Sequence, residues 1–178
     1  MLYIPITLNH FFKPNFQSSQ TERFNDQVEI CKILNNQKYY NSYVKVLPKS
    51  FFKNIIFNYY NFEVNPIYNN ISDYKNLIVN SNTVVTAMKK IKPKIVICDY
   101  FSTPAYELAN SNSEIILMLD KVNYPKRDVL KILEKRFFII HSFKEIYPII
   151  KKIKFKKIKK NNNDFYSLFY KKKLDYKI

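Results

Sequence analysis

The sequence predicts an α/β protein, a parallel sheet with helices on both faces, and three observations carry that prediction. Ile95-Val96-Ile97-Cys98, Ile115 to Leu119 and Phe137 to Ile140 are short unbroken apolar runs, the pattern of strands buried on both sides. Segments with helical spacing or helix-start residues separate them. Strand and helix signals alternate roughly every 15 to 25 residues, which suits βαβ units and a parallel sheet.

The elements follow in order. Leu2 to Leu8 is apolar and β-branched and reads as a first strand; Asn9 to Gln20, rich in Asn, Pro and Ser, reads as a long loop of functional length. From Thr21 to Asn35, Phe24, Val28, Cys31, Ile33 and Leu34 fall near helical spacing, with Thr21 as the cap and Glu22 in the first turn. Tyr43 to Leu47 and Phe51 to Phe57 are β-prone runs flanking Pro48, and Asn58 to Asn70 has no clear period. Leu77 to Val79 is a short strand, after which Ser81 caps a helix that runs to about Ile91 and is stopped by Pro93.

The clearest unit comes next. Ile95 to Cys98 is a strand, Asp99 to Ser102 a turn, and Thr103-Pro104 opens a helix. Ile115 to Leu119 is a strand, Arg127 to Glu134 a helix, and Phe137 to Ile140 a strand. Ser142-Phe143-Lys144-Glu145 is a capping box before a further helix, in which Pro148 predicts a kink or an early end. The pattern is Rossmann-like, with residues 1–153 as one domain and 154–178 as a Lys-rich tail.

The 178 residues contain no glycine, where average usage of about 7% would give roughly 12. That excludes the GxGxxG fingerprint, the Walker A loop and the GxSxG elbow, each of which needs positive φ or close backbone approach. A phosphate, if bound, must be held another way.

The formal net charge is +16, and among 30 cationic residues only Arg23, Arg127 and Arg136 are arginine. Nucleic-acid readers favour the bidentate arginine fork, whereas abundant Lys, Asn, Ile, Tyr and Phe with scarce Gly and Ala is what an AT-rich genome encodes. Residues 151–178 carry 11 Lys against 2 Asp and form a separate electrostatic object. No stretch reaches 18 apolar residues, and Met1 to Leu8 lacks a basic n-region, so the expected location is cytoplasmic. Cys31 and Cys98 sit among apolar residues and read as buried free thiols; no His, Cys or Asp lies at metal-ligand spacing, so no metal is expected.

In parallel sheets ligands bind outside the carboxyl ends of the strands, where loops run into helix N-termini. That rule points at Asp99 to Glu107, which puts the Ser102 and Thr103 hydroxyls and free backbone N–H groups at the positive end of a helix. Ser102 or Thr103 is its N-cap and Pro104 its first residue; both hydroxyls serve equally as plain caps or as phosphate ligands. Glu107 either complements the helix dipole or accepts hydrogen bonds from sugar hydroxyls, and Asp99 either binds nearby amides or lines the pocket. His141, at the carboxyl end of its strand, and His10, after the first strand, are further pocket candidates.

The run Ile95-Val-Ile-Cys-Asp99-Tyr-Phe-Ser102-Thr103-Pro-Ala-Tyr-Glu107-Leu-Ala resembles the nucleotide-binding half of GT-B glycosyltransferases, nearest to bacterial surface carbohydrate biosynthesis transferases. There a strand ends in Asp-Tyr, a Ser-Thr pair opens the next helix, and Glu follows. Ile115 to Asp120, Arg127 to Glu134 and Ile139-Ile-His-Ser match later parts of that pattern in order. Ser18-Ser19 and Val44-Lys45-Val46-Leu47-Pro48 match earlier parts more loosely.

The resemblance implies transfer of a sugar from a nucleotide sugar to a glycan or lipid-linked glycan in surface polysaccharide synthesis, with no separate cofactor. Ser102 and Thr103 would meet the donor phosphates, Glu107 and Asp99 the ribose or sugar, and Lys45, Lys49 and Arg127 would be counter-charges. Such enzymes use two Rossmann-like domains. The chain corresponds to one half, a split subunit or truncated copy whose acceptor domain and catalytic base would come from a partner chain. Lys151 to Lys160, with Ile153, Phe155 and Ile158 interleaved, is a candidate contact with the inner-membrane surface, a solvated charge run, or a charge-protected edge strand. The rival reading is a non-enzymatic basic α/β module binding nucleic acid or anionic membrane, with Tyr39, Tyr40, Tyr59 and Tyr60 available to stack on bases.

Overall fold

Six parallel strands alternate with helices in the computed structural model, which describes residues 1–5, 20–46, 67, 71–101, 103–119, 125–155 and 165. The strands are β1 (Leu2–Ile4), β2 (Ser42–Lys45), β3 (Leu77–Asn80), β4 (Ile95–Cys98), β5 (Glu114–Met118) and β6 (Phe137–Ile140). Within the first unit they lie in the order β3-β2-β1 and within the second β4-β5-β6, each neighbouring pair parallel. The α-helices are α1 (Gln20–Asn35), α2 (Val84–Ile91), α3 (Thr103–Ala109), α4 (Arg127–Arg136) and α5 (Ile146–Lys154), with a 3₁₀ turn at Phe143–Glu145 before α5. The expected α/β, Rossmann-like class is the one observed.

The chain divides into two compact units, Met1–Pro93 and Lys94–Ile178. In the first, β1 pairs with β2 (Leu2 opposite Tyr43) and β2 with β3 (Ser42 opposite Leu77). In the second, β4 pairs with β5 (Cys98 opposite Leu117) and β5 with β6 (Leu117 opposite Ile139). Every residue of β1 and β4 is buried. Successive side chains of a strand point to opposite faces, so these strands are covered on both sides, as their unbroken apolar runs require.

In α1 the buried residues are Arg23, Gln27, Ile30, Cys31 and Leu34. The helix therefore presents a stripe rotated from the expected one: Phe24, Val28 and Ile33 are only half-buried. Polar Arg23 and Gln27 continue the 3–4 spacing of Ile30 and Leu34, and that geometric row prevails over local hydrophobicity. Thr21 lies inside α1, which starts at Gln20, so it is not the cap.

The second helix, unlike α1, starts later than its sequence suggests. The Asn82 amide donates to Asn80 Oδ1 at 3.0 Å, and Thr83, not Ser81, is the cap, its Oγ1 accepting from the Thr86 amide. The side-chain turn at Asn80 occupies the residues that Ser81 would have capped. Helix α3 takes Thr103 as its first residue and Pro104 as its second, so it starts one residue earlier than expected. A proline there removes an N–H that has no intrahelical partner in any case. The capping box at Ser142 and Glu145 is present, but Pro148 neither kinks nor shortens the helix it opens. It is the third residue of α5, still in the first turn, where no i−4 hydrogen bond is lost.

Without glycine the helix ends are closed by other means. Among the described residues the single positive φ belongs to Lys92, at 47°, whose amide donates to the Met88 carbonyl as α2 ends. The α1 end is tied by a reciprocal pair: the Asn76 amide donates to Asn35 Oδ1 at 3.0 Å, and Asn76 Nδ2 to the Asn35 carbonyl at 3.1 Å. The end of α3 is held by Arg136, which is fully buried. Its Nε donates to the Ala109 carbonyl at 2.7 Å, and its Nη2 to Ser111 and Ser113 at 2.8 and 2.9 Å. Among the described residues no helix is long and apolar enough to cross a membrane. The strand read at Phe51 to Phe57, the loop Asn9 to Gln20 up to residue 19, and the tail beyond residue 155 lie outside the described residues apart from Phe165.

Candidate functional site

In the second unit all three strands run the same way, so the loops that follow β4, β5 and β6 leave one edge of the sheet. These loops carry Asp99, Leu119 and His141. Helices α3 and α4 follow β4 and β5 and so begin from that edge, with the positive ends of their dipoles toward it.

Asp99 follows β4 directly and is 4% exposed. Thr103 and Glu107, four residues apart and both exposed, share one face of α3. The Phe101 and Tyr106 rings meet at 4.8 Å between centroids, tilted by 45°, and burial pushes the Tyr106 hydroxyl above its usual range. The turn is thus braced by an aromatic pair rather than by a glycine's backbone freedom. Ser102 lies outside the described residues.

His141 is exposed and ends β6. Its Nδ1 lies 3.4 Å from the Leu119 carbonyl oxygen, the geometry for an Nδ1–H donor when that tautomer is present. Its backbone is fixed by the capping box, because Glu145 Oε1 accepts from both the His141 amide (2.8 Å) and the Ser142 amide (3.0 Å). Glu145 is the residue that the sequence reading left without a part in the site. The capping box signalled it, although the box gave no hint that its carboxylate would also hold the histidine's amide.

Asp99 and His141 stand on the outer two strands of the three, so two strand spacings, about 10 Å, separate their backbones. That span suits a ligand of nucleotide-diphosphate size better than a direct catalytic pair. Arg127 opens α4 and is exposed, on the helix that follows β5. Lys45 ends β2 in the first unit and is half-buried. His10 and Lys49 lie outside the described residues.

Cys98 sits one residue from Asp99 and is fully buried. Burial, and secondarily the Asp99 charge, pushes its thiol above the usual range, which favours the protonated form over the reactive thiolate. Cys31 is likewise a buried free thiol, as expected for both. Among the described residues no group of three or more His, Cys, Asp or Glu side chains could hold a metal ion.

No protein-family model matches the chain, and comparison with curated proteins and with solved structures finds no match either.

Proposed function

We propose that the chain binds the diphosphate of a nucleotide sugar and is the donor-binding half of a GT-B type glycosyltransferase of bacterial surface polysaccharide synthesis. The observation that carries the reading is the grouping at one sheet edge of a buried Asp99, the exposed Thr103–Glu107 face of α3, and His141. The parallel, Rossmann-like class supports it, because in such sheets ligands bind outside the carboxyl ends of the strands.

In this reading the first-turn amides of α3, with the Ser102 and Thr103 hydroxyls, donate hydrogen bonds to the phosphates of the nucleotide sugar, and Arg127 supplies a counter-charge. Glu107 and Asp99 take the ribose or sugar hydroxyls. Positioned cations and helix dipoles stabilise the departing nucleoside diphosphate as negative charge develops on it. In a GT-B arrangement a second Rossmann-like domain would supply the acceptor-binding surface and the group that deprotonates the acceptor.

Calorimetric titration of the chain with nucleoside diphosphates and nucleotide sugars tests the site. The double variant Ser102→Ala, Thr103→Ala is expected to weaken binding at least tenfold, about 1.4 kcal/mol, with its melting temperature lowered by no more than a capping change explains. Undiminished affinity in that variant, or no nucleotide binding by the native chain, rejects the proposal.

A further inference from the structure

Helix α5 is amphipathic in an unusual way: its buried side is aliphatic, with Ile146 and Ile150 in the core, while its solvent side is aromatic and cationic. Tyr147 is 57% and Phe155 55% exposed, two of the few large hydrophobic residues that the described chain leaves in water. Lys144, Pro148, Lys151 and Lys152 are exposed beside them. At 100° per residue, Tyr147, Pro148 and Lys151 fall on one side of the α5 axis, opposite Ile146, Ile150 and Ile153; Lys144 lies in the 3₁₀ turn before the helix and Phe155 is its C-cap. Tyr147 and Phe155 are eight residues apart, about 12 Å along the helix, with Lys151 between them.

No acidic residue occurs from Ile146 to Lys154. The nearest carboxylate before it, Glu145, is engaged with the His141 and Ser142 amides. Lys154 Nζ lies 5.6 Å from the centre of the Phe155 ring, so a cation and an apolar ring are presented together.

From this we infer that the outer face of α5 docks on an anionic lipid surface, with Tyr147 and Phe155 entering the headgroup region and Lys144, Lys151 and Lys152 pairing with lipid phosphates. Charge complementarity selects that occupant: the face has cations and rings but no carboxylate to pair with a basic or neutral protein partner. A convex helix side with an exposed ring on either side of a lysine suits a surface better than a groove, and lysine stems can lie along it with their ammonium groups in water. A nucleic-acid strand, the competing polyanion, is gripped by grooves and by rings that several bases can stack upon in succession. The inference is independent of the nucleotide-sugar reading and stands or falls on its own test.

That test is co-flotation of the full chain with vesicles of phosphatidylcholine alone and of phosphatidylcholine mixed with phosphatidylglycerol. A single-stranded oligonucleotide is titrated in parallel, and circular dichroism checks the fold of each variant. The native chain is expected to float with the mixed vesicles and not the neutral ones, with binding that weakens as salt is raised. Lys151→Gln with Lys152→Gln should reduce partitioning about 25-fold, from roughly five-fold per lysine. Tyr147→Ser with Phe155→Ser should reduce it at least tenfold while leaving the salt dependence in place. Both pairs are exposed, and either pair decides the matter if the other misfolds. Native-like flotation of a folded double variant, equal binding to neutral vesicles, no flotation at all, or loss of oligonucleotide binding with flotation unchanged would each overturn the inference.

Discussion

The Nε of Arg136 donates to the Ala109 carbonyl at 2.7 Å across 27 residues of sequence, and this bond closes helix α3 from the far side of the β5 strand. The same guanidinium holds the Ser111 and Ser113 carbonyls, so one buried cation fixes the whole turn from α3 into β5. In a chain without glycine, it satisfies helix-end carbonyls that a left-handed cap would otherwise serve.

Arg136→Met leaves those three carbonyls without the guanidinium, each unmade bond costing about 1–3 kcal/mol, offset in part by the desolvation of the charge it removes. A net loss of about 3 kcal/mol is expected in urea denaturation, a large part of a domain's stability. Arg136→Lys should do no better than Met, because a point ammonium keeps the buried charge while losing the fork. A lysine variant as stable as the native chain would mean that charge, not geometry, is what the site requires.

Lys92 holds a left-handed conformation that an L-residue adopts at a cost of about 1 kcal/mol, and its side chain is exposed. Lys92→Gly should stabilise the chain by about 0.5–1 kcal/mol, raising the melting temperature by roughly 1–4 °C, while Lys92→Val should lower it. Equal melting temperatures for the glycine and valine variants would show that the cap is not strained.

Burial raises the Asp26 carboxyl above its ordinary value of 3.8; Arg23 opposes the shift and Glu22 adds to it. The folded state therefore binds this proton more tightly than the unfolded one. The side chain's contribution is full below pH 3.8 and is lost as pH rises through the higher folded value. Asp26→Asn should thus be at least as stable as the native chain at pH 7, by about 0.5 kcal/mol once solvent screening of this half-exposed group is allowed for. The difference should vanish near pH 3. Denaturation midpoints at the two pH values measure it, and a variant less stable at pH 7 would show that the Arg23 attraction outweighs burial.

Much of the candidate site was legible because it follows from local rules. Thr103-Pro104 announces a helix start, Ile95 to Cys98 a buried strand, and the carboxyl-edge rule then brings Asp99 and His141 to one side. Glu145 was visible as half of a capping box, but its hold on the His141 amide depends on how β6 ends and α5 begins. The rotated face of α1 was not legible, since Arg23 and Gln27 are buried against their own hydropathy by the row they share with Ile30 and Leu34.

The sequence by itself determined the strand identities, the parallel class and the exclusion of glycine loops, because two-sided burial and backbone permissiveness are written residue by residue. Only the tertiary structure decided that Arg136 anchors the α3–β5 turn, that Lys92 takes the left-handed cap, and that the solvent side of α5 collects rings with lysines. Such outcomes depend on partners some 23 to 27 residues apart or on which side of a helix the core claims. Local periodicity carries no term for either, since a hydrogen bond's partner is chosen by the packing that brings it within 3 Å.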